Sequence, residues 1–260
     1  MIRHNILQSA TRVPSPNRGG TINPKFIVMH YTASWEIDSV IGTFNNPASK
    51  VSAHITFDTD GSAYQHVPFN VKAWHAGPSQ YAGYTGLNSH AIGIEIVNPG
   101  FCRMVGGKIF DADMRPVPLA YKNGFLEQSH PRVGSGTFYW PLYTERQLSA
   151  VEDLTKELIQ TYSITDIVSH EEIDLRGWKT DPGPAFPMQR FKKLLNGRDL
   201  DTDTYEVTAS SLNVRGGPGT QFKIIDSYRK GKHVSVEDRR GDWARVSSDG
   251  WVHGSFLRLV

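Results

Sequence analysis

The hydrophobic positions of the chain change their spacing from one stretch to the next. Phe26–Tyr31 is a short, nearly continuous apolar run, which is typical of a buried strand. Apolar residues then recur at helical spacing over Ile37–Phe44, which predicts a helix. In Ala91–Val97 three isoleucines alternate with other residues, so that they share one face and Glu95 lies on the other. A single acid in an otherwise buried strand needs a partner or a function.

Two further runs predict a hairpin, and two stretches show no period. Val51–Phe57 and Ala63–Val67 flank an Asp-Gly pair, a strong turn signal between two strands. The first 25 residues are rich in Ser, Pro, Asn and Gly and indicate an irregular lead-in. Residues 99–142 contain many Gly, Pro and aromatic residues, and we read them as a long inserted loop. That loop is either a wall of a substrate cleft or a variable surface segment.

The most regular helix pattern begins after residue 143. Thr144–Gln147 has the form of a capping box, and one apolar stripe follows over Leu148–Tyr162. A second strand-like run, Ile164–His170, comes next, and a last helix is expected from Pro187 to about Asn196. Strands that alternate with helices predict an α/β fold, in which a mixed central β-sheet is flanked by helices.

The pattern changes again near residue 198, which divides the chain into two predicted domains. Residues 1–198 form the first, 199–203 are a short polar linker, and 204–260 contain short strands separated by glycine turns. Within 204–260, the turn Gly216–Thr220 and both Trp243 and Trp251 resemble a bacterial SH3-type domain, which implies a small all-β SH3-like barrel. The two tryptophans either pack the barrel or contact a ligand.

Composition limits the class of protein. The chain has 260 residues, of which 38% are hydrophobic and 21% are charged, so it can bury a core and is not disordered. The net charge of +2 gives no case for nucleic-acid binding, and one cysteine excludes an internal disulfide. There is no apolar run long enough for a membrane span, and Met1–Gly20 lacks the apolar core of a secretory signal. As written, the chain is expected to be cytoplasmic unless lysis releases it or a signal was trimmed.

Two histidines and one aspartate stand in contexts that suit zinc ligands. His30 comes at the end of the first strand-like run, His170 ends the run Ile164–His170, and Asp181 lies in Lys179–Phe186. Two imidazoles and one carboxylate leave the fourth position of a tetrahedral zinc open for water, as a hydrolytic site requires. The two histidines are far apart in sequence, so only folding can bring them together.

The segments that carry these residues resemble those of the type 2 zinc-dependent N-acetylmuramoyl-L-alanine amidases. This family includes anhydromuropeptide amidases, T7-type phage lysozymes and, more distantly, peptidoglycan recognition proteins. Each segment is weakly specific alone, but six in the same order, covering most of residues 20–195, make a strong match. The six segments are Ile27–Ala33, Val51–Phe57, Asp60–Pro68, Ala73–Gly77, Leu87–Ile96 and His170–Phe186.

The resemblance implies both a fold and an activity. The fold is that of the amidases and peptidoglycan recognition proteins, which agrees with the α/β prediction. The activity is hydrolysis of the amide bond between the lactyl group of N-acetylmuramic acid and L-alanine. One catalytic Zn²⁺ would be held by His30, His170 and Asp181. Peptidoglycan or a muropeptide is then the partner, and we expect a monomer.

The same resemblance implies roles for four further residues, and Trp74 is a fifth candidate on its chemistry alone. Glu95 matches the proton-transfer position, a role for which burial would raise the pKa of its carboxyl group toward neutral pH. Lys179 stands two residues before the carboxylate ligand, and a cation there suits a developing oxyanion. His75 and Asn88 match positions that line the cleft and bind substrate, and Trp74 offers a flat surface to a sugar ring. A purely structural role is the open alternative for each of the five.

The chain departs from the T7-type enzymes at two positions. Those enzymes place a tyrosine where this chain has Ala53, and their third zinc ligand is a cysteine where this chain has Asp181. The chain thus follows the anhydromuropeptide branch. His54, the next residue, either supports the metal ligands or is a buried histidine with ordinary hydrogen bonds.

Two other functions compete with the amidase. One is a peptidoglycan recognition protein that binds without turnover, and the other is a zinc hydrolase that acts on a different amide. Non-catalytic relatives typically lose a zinc ligand, whereas this chain has all three ligands together with Glu95 and Lys179. The sequence therefore favours the enzyme.

Overall fold

The computed structural model describes residues 1–196, 204–236, 238–247 and 250–260. They form two compact units, Met1–Leu195 and Asn196–Val260. The predicted linker at 199–203 lies outside the described residues. Within the part of the chain that is described, no helix has both the length and the apolar character needed to span a bilayer.

A six-stranded mixed sheet forms the centre of the first unit, which confirms the predicted α/β class. Four of its strands are parallel to their neighbours, one joins them through an antiparallel hairpin, and a short edge strand pairs with that one in parallel. In spatial order the strands are Asp166–Ser169, Phe26–Tyr31, Ala91–Ile96, Ile55–Phe57, Ala63–Gln65 and Thr11–Arg12.

One face of this sheet is covered by the long helix Glu145–Thr161. The helix begins with the predicted capping box, in which Thr144 and Gln147 satisfy each other's backbone N–H groups. Its apolar stripe is buried in one cluster with the alternating isoleucines of Ala91–Ile96. The opposite face of the sheet therefore remains for the residues between those isoleucines, which include Glu95.

Two stretches that lack a period are more regular than predicted. Residues 99–142 are not a loop, because they contain a four-stranded antiparallel sheet, here called the inserted sheet. In spatial order its strands are Lys108–Asp111, Cys102–Val105, Gly134–Pro141 and Phe125–His130. The lead-in is also structured, because Thr11–Arg12 joins the edge of the central sheet and Leu7 is buried in its core. In both stretches cross-strand pairing replaces hydrophobic alternation as the organising force.

The other elements of the first unit are short. The end of Ile164–His170 was predicted wrongly, since the strand stops at Ser169 and His170 is the first residue of a helix. The remaining strands are Ile2–Arg3, Ile6–Leu7, Arg18–Thr21, Val71–Ala73, Gln80–Tyr81 and Tyr84–Thr85. The remaining helices are Ile37–Asn45, His170–Ile173 and Met188–Lys192, with 3-10 turns at Pro47–Ser49, Leu87–Ser89 and Lys193–Asn196.

From residue 204 onward, the described residues of the second unit form antiparallel strands and a 3-10 turn, as predicted for a small all-β domain. Trp251 is fully buried, whereas Trp243 is only partly buried. Its strands are Thr204–Val207, Ser211–Arg215, Ile224–Arg229, His233–Ser235, Asp238–Arg240, Trp243–Arg245, Trp251–His253 and Leu257–Leu259.

Candidate metal centre and cleft

Sheet register places the first two predicted site residues side by side. Phe26–Tyr31 and Ala91–Ile96 are parallel neighbours, and His30 stands opposite Glu95 in their register. Both side chains lie on the face that the long helix leaves open, because residues with the other parity point into the core. The alternation of a single strand, together with the pairing of two strands, is enough to create this juxtaposition.

The other two predicted ligands come from a loop. Ser169 caps the short helix that begins at His170, and its hydroxyl accepts a hydrogen bond from the backbone N–H of Glu172. Asp181 follows eleven residues after His170, and its backbone carbonyl accepts a hydrogen bond from the N–H of Glu171. Residues 170–181, here called the ligand loop, therefore carry one candidate ligand at each end.

Three ligand atoms converge on one point in the buried centre of the site. The Nδ1 atoms of His30 and His170 lie 3.0 Å apart, and the Oδ2 atom of Asp181 lies 2.8 Å from the first and 2.9 Å from the second. All three side chains are buried, and their ligand atoms lie close enough together to share one metal ion.

The hydrogen bonds on the far side of each imidazole fit a cation at that point. Nε2 of His170 faces the carbonyl oxygen of Ala76 at 3.3 Å, so it must carry the proton and leave Nδ1 with a lone pair. Nε2 of His30 faces Nδ1 of His75 at 3.0 Å, while Nε2 of His75 faces the carbonyl oxygen of Ala91 at 3.4 Å. Nε2 of His75 therefore carries a proton, and Nδ1 of His75 accepts the proton on Nε2 of His30. Nδ1 of His30 is then unprotonated as well. Two lone pairs and a carboxylate oxygen within 3.0 Å repel one another unless a cation lies between them.

The electrostatics of the trio agree with this arrangement. Burial, and then the neighbouring His170, lower the pKa of His30 to about 4, so its imidazole is neutral at physiological pH. Burial alone would raise the pKa of Asp181, but without a cation its hydrogen bonding to His170 and His30 outweighs burial and holds that pKa well below its usual value. A bound cation would take the place of the shared protons and stabilise the same ionised carboxylate. Neutral imidazoles and an ionised carboxylate are the protonation states that metal binding needs.

Gly93 makes room for the imidazole that supports His30. A Cβ atom at this position would lie 2.4 Å from Cγ of His75, which is closer than any side chain could tolerate. The same strand therefore supplies both an acid, Glu95, and a gap that accepts a ring. The alternation in Ala91–Val97 places Gly93 on the same face as Glu95, but it gives no reason for a glycine there.

Glu95 combines burial with an unused oxygen. Its Oε2 atom is buried and has no hydrogen-bond partner among the described residues. Burial, and then the negative charge of Asp181, raise the pKa of its carboxyl group well above the usual value, while Lys179 acts in the opposite direction. A buried carboxyl group with a raised pKa is suited to holding and passing on a proton.

Lys179 lies on the ligand loop, where backbone contacts hold it in place. Both Lys179 and Trp178 donate their backbone N–H groups to one carboxylate oxygen of Asp174, each at 3.1 Å. The ammonium group of Lys179 lies 4.4 Å from the centre of the exposed Trp178 ring. Hydrogen bonding of this kind, made by Asp174, leaves no mark in a sequence pattern.

The candidate residues open onto a cleft of about 570 Å³. His30, Glu95, His170 and Asp181 form its floor, and the other walls come from different parts of the fold. The wall on the side of the Ile37–Asn45 helix is uncharged and is lined by Ser39, Val40, Thr43, Ser52 and Trp74. The region of the inserted sheet and the ligand loop supply other lining residues, which are Phe101, Asp113, Arg115, Arg132, Trp178 and Lys179.

The other predicted site residues have different surroundings. Trp74 and His75 line the cleft. Asn88 is not among the described residues that line it, and its side-chain oxygen accepts backbone hydrogen bonds from His75 and Ala76 at 2.9 and 2.7 Å. Direct contact between Asn88 and a substrate therefore stays a prediction. His54 has both ring nitrogens bonded to backbone, which is the arrangement of a buried core histidine.

Comparison with known proteins agrees with this fold and site. Residues 20–184 match the N-acetylmuramoyl-L-alanine amidase family, and residues 210–258 match the bacterial SH3 domain family. The chain therefore belongs to the N-acetylmuramoyl-L-alanine amidase family, and it carries a bacterial SH3 domain after its amidase domain.

Particular relatives narrow the comparison. The chain is 30% identical to the 1,6-anhydro-N-acetylmuramyl-L-alanine amidase AmpD of Escherichia coli, over 73% of this chain and 94% of AmpD. A crystal structure of AmpD aligns with a TM-score of 0.54 at 27% identity, covering 75% of this chain and 99% of that one. AmiD from E. coli, in complex with anhydro-N-acetylmuramic acid-L-Ala-D-γ-Glu-L-Lys, aligns with a TM-score of 0.50 at 27% identity, covering 73% and 60%.

Proposed function

We propose that this protein is a zinc-dependent hydrolase that cleaves the amide bond between the lactyl group of N-acetylmuramic acid and L-alanine. The observation that carries the proposal is the convergence of Nδ1 of His30, Nδ1 of His170 and Oδ2 of Asp181 at the floor of an open cleft. Two imidazoles and one carboxylate are the ligand set of zinc hydrolases, which keep one position for water. Zinc bound there would polarise that water and the substrate carbonyl.

Glu95 is the candidate for proton transfer. Its unpartnered Oε2 atom would accept a proton from the attacking water, and the same proton would then pass to the nitrogen of the departing L-alanine. The raised pKa suits both steps, because the carboxyl group must hold the proton between them. Breaking the C–N bond with a protonated amine as the leaving group completes the reaction.

Lys179 is the candidate for stabilising the oxyanion. Lys179 lines the same cleft with its ammonium group against the Trp178 ring, and it forms no ion pair with a described residue. A fixed positive charge near the carbonyl oxygen lowers the energy of the tetrahedral transition state. The backbone bonds from Asp174 keep this lysine from moving away.

The two walls of the cleft suggest how a muropeptide is oriented. The wall near the Ile37–Asn45 helix offers hydroxyl groups and the partly buried Trp74 ring, which suit an uncharged sugar. The wall near the ligand loop carries Lys179, whose positive charge suits a carboxylate of a stem peptide. Arg115 of the same cleft is already paired with Asp111 and Asp113. His75 would then act through His30 rather than on the substrate itself, since its Nδ1 is already engaged.

The decisive experiment compares two substrates and two metal states. The purified protein, with and without zinc, is incubated with intact sacculi and with soluble anhydromuropeptides, and products are identified by mass. We expect free stem peptides that begin with L-alanine, and only when zinc is present. Stoichiometric zinc binding without cleavage would instead indicate a peptidoglycan-binding protein, and cleavage of simple acyl-amino acids alone would indicate a different amide hydrolase.

A further inference from the structure

The inserted sheet reaches the metal centre through the tip of one hairpin. The hairpin joins the strands Phe125–His130 and Gly134–Pro141, and its tip carries Arg132. Arg132 lines the cleft, although it lies far from every candidate ligand in sequence. Its guanidinium group contacts both ends of the ligand loop, which makes it the link between the insertion and the site.

One nitrogen atom of Arg132 bonds to the backbone near both ends of the ligand loop. Nη1 donates to the backbone carbonyl of Glu171 at 3.0 Å and to that of Lys179 at 2.8 Å. Glu171 directly follows His170, and Lys179 stands two residues before Asp181. The distance between these two carbonyl groups is therefore tied to the distance between His170 and Asp181, and Arg132 restrains it.

A second contact anchors the hairpin at the same place. One carboxylate oxygen of Glu171 lies 3.2 Å from Nε2 of His130. The other lies 3.6 Å from Nε of Arg132. His130 is itself buried beside the Trp140 ring. Arg132 is thus attached to a rigid strand pair on one side and to the ligand loop on the other.

Part of the loop between the two ligands is buried and part is exposed. Ile173 and Asp174 are buried, whereas Leu175 and Trp178 are 61% and 55% exposed, so packing alone does not hold the second half of the loop. A charge-assisted donor that joins two backbone carbonyls restricts the loop without covering the cleft. Holding ligands near their bound geometry lowers the ordering cost of metal binding.

We propose that Arg132 is a positioning residue for the metal centre. It keeps the two ligands of the loop at the separation that a shared ion requires, and it holds the backbone from which Lys179 enters the cleft. The inserted sheet is therefore part of the active-site framework of this chain. The effect on turnover rests on the proposed function, whereas the effect on zinc retention does not.

The test measures zinc release and turnover in matched variants of the full chain. Wild type, Arg132→Ala and Arg132→Lys are loaded with one equivalent of zinc, and release to a chromophoric chelator is followed over time. We expect Arg132→Ala to release zinc roughly tenfold faster, with Arg132→Lys in between, because lysine keeps the charge and loses the planar fork. On a soluble anhydromuropeptide we expect kcat to fall with little change in KM.

Arg103→Ala is the matched control. Arg103 also lies on the inserted sheet, but it packs over Phe101 and Phe138 and touches no candidate ligand. It should release zinc at the wild-type rate. Release at the wild-type rate from Arg132→Ala would overturn the proposal, and if that variant does not fold, the same result from Arg132→Lys would do so. A wild type that binds zinc but cleaves no muropeptide would refute the proposed function, while the release ratio would still decide the role of Arg132.

Discussion

The two halves of the metal centre are held by different forces. His30 and Glu95 stand on adjacent parallel strands, where the backbone ladder and a buried core fix their positions. His170 and Asp181 stand at the ends of a loop whose backbone is fixed by side chains: Ser169 and Asp174 accept hydrogen bonds from it, and Arg132 donates to it. The strand half is thus set by secondary structure and the loop half by individual polar contacts.

This difference predicts different responses to mutation. A change in the strand half acts through the shared core, and it should disturb stability and chemistry together. A change in the loop half removes one polar contact at a time, and it should disturb metal retention before it disturbs the fold. Substitutions in each half distinguish these two responses.

Removal of the loop carboxylate should have the largest effect. Asp181→Ala deletes one of three candidate ligands, and the two remaining imidazoles are not expected to retain catalytic zinc. We expect both the zinc content and the muropeptide turnover of the purified variant to fall to background. Asp153→Ala, at an exposed position of the long helix, is the control and should match wild type in both. Stoichiometric zinc in Asp181→Ala would exclude Asp181 as a ligand.

The strand half offers the next largest effect, a loss of turnover without loss of zinc. Glu95→Gln keeps the shape of the side chain and removes its ability to carry a proton. We expect wild-type zinc content and a turnover lower by about 10²- to 10⁴-fold. Zinc analysis and kinetics on the same sample distinguish the possibilities, because loss of metal would make Glu95 a ligand or a support for one.

The same variant should respond to pH in a defined direction. In the zinc-free protein, burial and Asp181 raise the pKa of Glu95 in the folded state, whereas the unfolded chain releases this proton near its ordinary pKa. Between those two pKa values the folded state binds more protons, so the free energy of unfolding falls as pH rises. Glu95→Gln removes this dependence, and its stability advantage over wild type should grow from pH 4 upward. Parallel denaturant curves for the two zinc-free proteins would reveal a constant difference if Glu95 were not perturbed.

The sequence predicted the strand half better than the loop half, and the reason is physical. The alternation in Ala91–Ile96 and the continuous apolar run Phe26–Tyr31 are both visible in the sequence. Their strands and the face of Glu95 therefore follow from the pattern alone. The end of the second run was misplaced because Ser169 begins a helix cap, which a hydrophobic pattern does not register.

The inserted sheet was missed for a related reason. Half of its strand residues are exposed and they do not alternate regularly with buried ones, so cross-strand pairing and not a buried face defines the strands. The contacts of Arg132 join residues about 40 positions apart and depend on that sheet. The ligand set itself was recognised from a family resemblance, since the spacing of His30, His170 and Asp181 alone carries no such information.

Gly93→Ala tests whether the strand half couples stability to the metal. The new methyl group would meet the His75 ring at 2.4 Å and displace the imidazole that supports His30. Overpacking of this kind costs roughly 1–3 kcal/mol, and loss of a supporting hydrogen bond typically lowers metal affinity about 10- to 100-fold. Both should appear together in denaturant unfolding and zinc titration.

Gly42→Ala is the matched control for that substitution. Gly42 lies in the Ile37–Asn45 helix with open space around it, so alanine should stabilise the protein by about 0.5–1 kcal/mol and leave zinc affinity unchanged. A Gly93→Ala protein that loses stability and still binds zinc like wild type would show that His75 does not support His30. The strand half would then not be coupled in the way described.

The smallest effect is expected where the two halves meet. The hydroxyl groups of Tyr31 and Thr180 lie 2.5 Å apart, and these residues stand next to His30 and Asp181 in sequence. The bond therefore joins a strand residue to a loop residue across the metal centre.

Tyr31→Phe and Thr180→Val should each lower the free energy of unfolding by about 1 kcal/mol, because each leaves a largely buried hydroxyl group without its partner. The double variant should lose less than the sum of the two, with a coupling of at least about 0.5 kcal/mol, because the second substitution removes a group already left unpaired. Strict additivity in a double-mutant cycle would mean that the two halves are held independently.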